Sequence, residues 1–248
     1  MEPTLAIILV FFVGVLASFI GAMVGGAGLL SIPLLIFLGL PPQMAVATNK
    51  FGGIGLSLGA VTKFWHAKKI DWRYMFPLCA LGLAGAYLGS TLLLRIPQSL
   101  LSKMVGVLLL LMLPLLLIRQ DMGVRKHIPT TLQRMTGYGV YFITMVYGAF
   151  FGAGSGTLLT YLLVFFFGLP MVEAMATQFI PWLLLSALSL LIYAAHGIVS
   201  YTYGIALFLG MLVGGYAGAH VAIKKGNAWV KLLFAIVVVA LAVKLLFF

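Results

Sequence analysis

Acidic residues are almost missing. The 248-residue chain has four Asp and Glu in total, and a single cysteine, Cys79. With so few carboxylates, paired-acid catalysis has almost no material, and no His/Asp/Glu group has metal-ligand spacing. A lone cysteine allows no internal disulfide and no Cys-rich metal site; inside an apolar run it reads as a small packing residue. Charge is scarce altogether, 8% of residues against about 25% in a soluble domain. The N-terminus, MEPTLAIILV, has an acid and no basic residue ahead of its apolar run, unlike a signal peptide, so the first segment is expected to be retained. Ser155, within Gly152-Ala153-Gly154-Ser155-Gly156, does not form the G-x-S-x-G elbow and follows no strand. These absences point away from an enzyme and call for no cofactor or metal.

What fills the chain is apolar: 63% of residues are hydrophobic. Ten hydrophobic segments can be drawn, at 4–24, 29–39, 43–65, 74–94, 99–118, 132–151, 157–168, 172–195, 201–222 and 228–248. A bilayer span needs about 20 residues, so the second and seventh are short, either half-helices or tilted crossings. The expected fold is an all-α polytopic membrane protein. The net charge of +11 could signal nucleic acid in a soluble protein, but here the basic residues sit in short loops and read as an orientation signal instead. If the HAKKIDWR loop is cytoplasmic, alternation puts Lys68, Lys69, Arg73, Arg119, Arg125, Lys126, Arg134, Lys224, Lys225 and Lys231 on that side. Arg95 and Lys103 fall opposite, ten against two. Both termini are then extracytoplasmic.

The chain repeats. Gly26-Ala27-Gly28 matches Gly154-Ser155-Gly156 at an offset of 128, and Gly39-Leu40-Pro41 matches Gly168-Leu169-Pro170 at 129. Ala47-Thr48-Asn49 falls on Ala176-Thr177-Gln178, Ser57 on Ser186, and Gly85 and Gly89 on Gly214 and Gly218, all at 129; Lys103 falls on Lys231 at 128. The expected organisation is two five-segment copies, 1–118 and 132–248, joined by a cytoplasmic linker at 119–131. Five crossings is an odd number, so the second copy is expected inverted, an architecture recurrent in secondary transporters. Re-entrant short segments would make the copies parallel instead.

The candidate chemistry lies where the helices break. Gly25, Gly26 and Gly28, and again Gly154, Ser155 and Gly156, let the backbone leave helical dihedrals and offer N–H groups to an anion at the start of the next half-helix; they also suit tight helix packing. Thr48, Asn49 and Lys50, with Thr177 and Gln178, supply hydroxyls, amides and one positive charge. Lys50 either neutralises an anion or, early in its helix, snorkels to the outer surface. Asn49 and Gln178 either bind a ligand or bridge helices. Residues eight apart on a helix lie about 80° apart, so Ser57 and Ser186 can extend the two polar strips. Pro33 and Pro181 are positioned to kink their helices. His66, His196 and Glu173 are candidates for proton coupling; the histidines read equally as interfacial residues, and Glu173 as an acid at a helix start.

The glycine cluster GAMVGGAGLLSIPLL and the turn GLPPQMAVATNK, with their second appearance as GAFFGAGSGTLLTYLL and GLPMVEAMATQF, resemble the sulfite exporter TauE/SafE-type family of bacterial and archaeal membrane transporters. The resemblance implies secondary transport of a sulfur-containing anion such as sulfite, sulfoacetate or thiosulfate. Ala27 interrupts the usual glycine run, and Gln178-Phe179 replaces a small polar pair. The expectation is a small-anion transporter in the prokaryotic plasma membrane. Its site would lie between the copies, a proton is the favoured coupling ion, and access would alternate by rocking one copy against the other. A passive channel or a non-transporting scaffold are the rivals. The sequence carries no signal of oligomeric state.

Overall fold

A computed structural model describes residues 2–101, 104, 107 and 128–224. Its elements are helices α1 (Pro3–Val24), α2 (Gly28–Phe37), α3 (Pro42–His66), α4 (Met75–Arg95), α5 (Thr131–Phe150), α6 (Ser155–Phe167), α7 (Met171–Ala195) and α8 (Tyr201–Lys224). Each matches an expected segment to within a few residues. The expected tenth segment, most of the fifth and of the linker, and the Lys103–Lys231 match lie outside the described residues.

Local chemistry sets the boundaries. Prolines open α1 and α3, where a missing N–H costs nothing. Thr130 and Gln133 close a capping box at the start of α5, satisfying two orphan N–H groups. α2 and α6 are short, 10 and 13 residues. α1, α4, α7 and α8 are long and apolar enough to cross a membrane. α3 is as long as α7, 25 residues, but carries Thr48, Asn49, Lys50 and Lys63 along its length. The described residues form helices and no strand, and the protein is a multi-pass membrane protein.

The packing interleaves helices from the two halves of the sequence. α8 lies against α1 and α3, while α4 lies against α5 and α7. Small residues make these crossings close: a Cβ on Gly214 or Gly218 would stand 2.0 or 2.2 Å from the carbonyl of Val15 or Phe19 in α1. Their counterparts do the same in the other copy, Gly85 meeting Met145 at 2.7 Å and Gly89 the Val146 carbonyl at 2.2 Å, both in α5. In lipid, such backbone approach supplies packing that the hydrophobic effect cannot. Two lobes result, each drawing helices from both halves of the sequence. The larger apolar core joins α1, α2, α3 and α8 through Val10, Leu29, Val46 and Leu207, and reaches Phe179 on α7. A second joins α4 to α7 through Leu78, Tyr141, Leu163 and Leu185.

α3 and α7 meet between the lobes and run antiparallel. Phe64 near the end of α3 stacks on Phe179 near the start of α7, with ring centroids 6.0 Å apart. Midway, a Cβ on Gly53 would stand 3.0 Å from Ser186 Oγ. Beyond the helix ends, the Asp71 N–H donates to Thr177 Oγ1 and the Ser200 N–H to Thr48 Oγ1, each at 3.0 Å. Each threonine thereby anchors the connector that leads into the next helix, 67–74 for α4 and 196–200 for α8.

Candidate functional site

The two glycine breaks touch each other. α1 ends at Gly25, φ +85°, whose N–H donates to the Gly21 carbonyl at 2.8 Å. A Cβ on Gly25 would lie 2.2 Å from the Thr157 amide nitrogen and 2.6 Å from the Gly156 carbonyl carbon. Only glycine combines that dihedral with that proximity. Thr157 Oγ1 donates to the Val24 carbonyl at 2.7 Å, satisfying a group left open where α1 stops. In the second copy, Gly152 and Gly154 take φ +85° and +77°, and Ser155 Oγ donates to the Gly152 carbonyl at 2.6 Å.

Beside this crossing lies a small cavity of about 40 Å³. It is lined by Gly25, Gly26, Gly28, Asn49, Lys50, Gly156 and Gln178 from the expected set, and by Gly53, Phe179, Trp182 and Ser186 among others. A water needs at least about 10–15 Å³ of such space, so there is room for about three. Gly154 and Ser155 stand behind the lining as the start of α6. Thr48 and Thr177 also stay outside it, because their hydroxyls hold the connectors. Thr177→Val removes the acceptor of the Asp71 N–H, a change costing about 1–3 kcal/mol, and a thermal melt of the purified variant is expected to show a lower midpoint.

The amides come in matched pairs. Ser31 Oγ donates to Asn49 Oδ1 at 2.5 Å, and Gln178 Nε2 donates to Thr160 Oγ1 at 2.7 Å, each pair spanning 18 residues of sequence. Gln178 is 3% exposed, and its Oε1 has no hydrogen-bond partner among the described residues. Ser186 Oγ and Ser57 Oγ are likewise buried and unpartnered; of these two serines Ser186 reaches the cavity.

Lys50 does not snorkel. It is 1% exposed, its Nζ donates to the Gly148 carbonyl of α5, and it lies 5.3 Å from the centre of the Trp182 ring. No carboxylate of the described residues lies within ion-pair distance of it. The lysine therefore reaches from one lobe to the other and brings an uncompensated charge to the cavity. It has no counterpart in the repeat, since Phe179 occupies the matching place on α7.

The proton-coupling candidates lie elsewhere. His66 and His196 are exposed at the ends of α3 and α7, with Nδ1 hydrogen-bonded to the carbonyls of Thr62 (2.6 Å) and Ile192 (2.8 Å) one turn back. Glu173 is half-buried in the first turn of α7. None of the three lines the cavity. Sequence reasoning missed Ser31, Thr160, Trp182 and the Gly148 carbonyl.

The model of the family described as sulfite exporter TauE/SafE matches residues 10–245. A Haemophilus influenzae protein named "Probable membrane transporter protein" is 26% identical over 96% of this chain and 94% of its own. The Escherichia coli K12 "Probable membrane transporter protein YfcA" is 28% identical over 96% and 88%, and the Bacillus subtilis "Probable membrane transporter protein YjnA" 26% over 97% and 98%. No solved structure matches the chain. With a family match running almost from end to end over the fold just described, the chain belongs to the sulfite exporter TauE/SafE family.

Proposed function

We propose that this protein is a secondary transporter of a small anion, of the sulfur oxyanion or organosulfonate class, and that the cavity beside Lys50 is its binding site. The observation that carries this is Lys50 itself. A charge taken out of water costs several kcal/mol unless something compensates it, and here a carbonyl and a ring face stand where a carboxylate is absent. An anion completes the site. The relatives named as membrane transporters, and the family's description as sulfite exporters, support both the transport and the substrate class.

The antiparallel course of α3 and α7 supports inversion of the two copies, and the ten-against-two bias of basic residues between the loops supports the plasma-membrane topology with both termini outside. The cavity is small, about 40 Å³, and in this reading loading from one side of the membrane and release to the other require its walls to move. Alternating access supplies that motion. Its moving bodies in this reading are the two mixed lobes rather than the two sequence copies, because the most extensive helix contacts join α1 and α3 to α8, and α4 to α5.

Counterflow tests the reading. In proteoliposomes preloaded with unlabelled sulfite, labelled sulfite is expected to accumulate transiently above equilibrium. Flux without trans-stimulation would assign the polar residues to a passive channel, and absence of protein-dependent flux for sulfite, thiosulfate and sulfoacetate alike would leave them as helix glue.

A further inference from the structure

We infer that the occupant of the cavity is a singly charged anion that carries its own hydrogen-bond donor, a hydrogen-oxyanion such as bisulfite or an equivalent N–H-bearing sulfonate, and not a fully deprotonated dianion. This rests on the proposed anion site and narrows it.

Two independent features of the lining argue for it. The first is charge. Lys50 is the only cation among the described residues that line the cavity, and no acid lines it. One negative charge makes the buried site neutral. A second would stand unpaired in a low-dielectric surround, where an uncompensated charge is costly.

The second is the polarity of the Gln178 amide. Thr160 Oγ1 donates its one proton to the Gly156 carbonyl at 2.9 Å and so offers Gln178 only lone pairs. The Gln178 amino group takes them, at 2.7 Å, which leaves Oε1, on a residue that lines the cavity, as a buried acceptor without a donor among the described residues. Asn49 is not fixed in this way: Ser31 Oγ has one proton and two acceptors, Asn49 Oδ1 at 2.5 Å and the Ala27 carbonyl at 3.1 Å. The lining therefore presents the Lys50 ammonium as a donor and Gln178 Oε1 as an acceptor. An oxyanion stripped of protons satisfies the donor and faces Oε1 with a lone pair. A monoprotonated one satisfies both, and the Ser186 hydroxyl can adapt to either.

The test uses three anions whose charge does not change near neutral pH: sulfamate, singly charged with an N–H donor; methanesulfonate, its near-isostere without one; and sulfate, a dianion without one. Their affinities are measured on the purified, detergent-solubilised protein by thermal shift and by competition against labelled sulfite. Leaving a buried acceptor unmet separates the first two by about 5- to 150-fold, so sulfamate is expected to bind tighter than methanesulfonate by that margin, with sulfate weakest. In Gln178→Met, which keeps the side-chain length and removes the acceptor, the ratio of the first two is expected to fall to about one. Should that variant not fold, the wild-type ratio decides alone. Equal affinities in the wild type, tightest binding of sulfate, or a preference that survives in folded Gln178→Met overturns the inference. If binding is nonetheless present and lost in Lys50→Met, the anion site itself stands. If labelled sulfite itself does not bind, the anion reading fails and this inference with it; if sulfite binds and none of the three competes, this inference alone is overturned.

Discussion

Lys50→Met is expected to abolish anion transport while leaving the protein as stable as the wild type or more so. The side chain is buried, its Nζ bonded to the Gly148 carbonyl and set over Trp182. Methionine fills nearly the same space with a flexible apolar chain. Removing the charge relieves a desolvation penalty of several kcal/mol, against about 1–3 kcal/mol for leaving the carbonyl unmet. The anion, by contrast, loses a buried charge partner worth about 2–5 kcal/mol, or about 30-fold in affinity at the least. Melting temperature and sulfite uptake, measured on the same preparation, separate the two effects. Wild-type uptake by this variant would sink the assignment of the site. A collapse in stability would instead make Lys50 a structural strut between the lobes.

Gly25→Ala is expected to prevent accumulation of folded protein, and Gly39→Ala to be tolerated. Both residues have positive φ, +85° and +93°. Alanine at either position carries dihedral strain of about 1–3 kcal/mol. What differs is the surroundings: nothing lies within 4 Å of a Cβ on Gly39, whereas at Gly25 the backbone of Gly156 and Thr157 lies within 2.6 Å. Backbone in a second helix cannot rotate away, so the change exceeds about 4 kcal/mol, beyond the range of ordinary point substitutions. Fluorescence-detected size-exclusion of the two variants, expressed side by side, gives the comparison. Equal monodisperse peaks would mean that the two breaks do not cross.

The helices were legible because the apolar runs are long and because proline and glycine punctuate them; Pro41-Pro42 and Gly168 mark their turns in the sequence itself. The proposed repeat was drawn from pairs such as glycine at 26 and 154, both at positive φ, and threonine at 48 and 177, each of which accepts from a connector N–H. By the same reasoning Ser31 and Thr160 were within reach: they too stand 129 apart, 18 residues ahead of Asn49 and Gln178. Trp182 was not. Its counterpart is Gly53, and a bulky ring facing a bare backbone is where the repeat breaks, so a symmetry argument passes over it. Periodicity also said nothing of which fourth helix packs with which first helix, since that choice rests on contacts between residues up to about two hundred positions apart. Lys50 was legible as a candidate but not as a bridge, because its partner is a main-chain carbonyl that no side-chain pattern encodes.

The interleaving of helices from the two halves of the sequence bears on how the molecule is built during synthesis. When α1 leaves the ribosome and enters the bilayer, the helix that will cover its small-residue face, Tyr201–Lys224, has yet to be translated. α4 meets its partners sooner, since α5 is the next helix described after it. The second lobe can therefore close while the first still waits, its apolar flank held by lipid or by the insertion machinery. A ribosome stalled before residue 201 leaves α1 without its mate, and Tyr201–Lys224, translated after every other described helix, completes a lobe begun with α1.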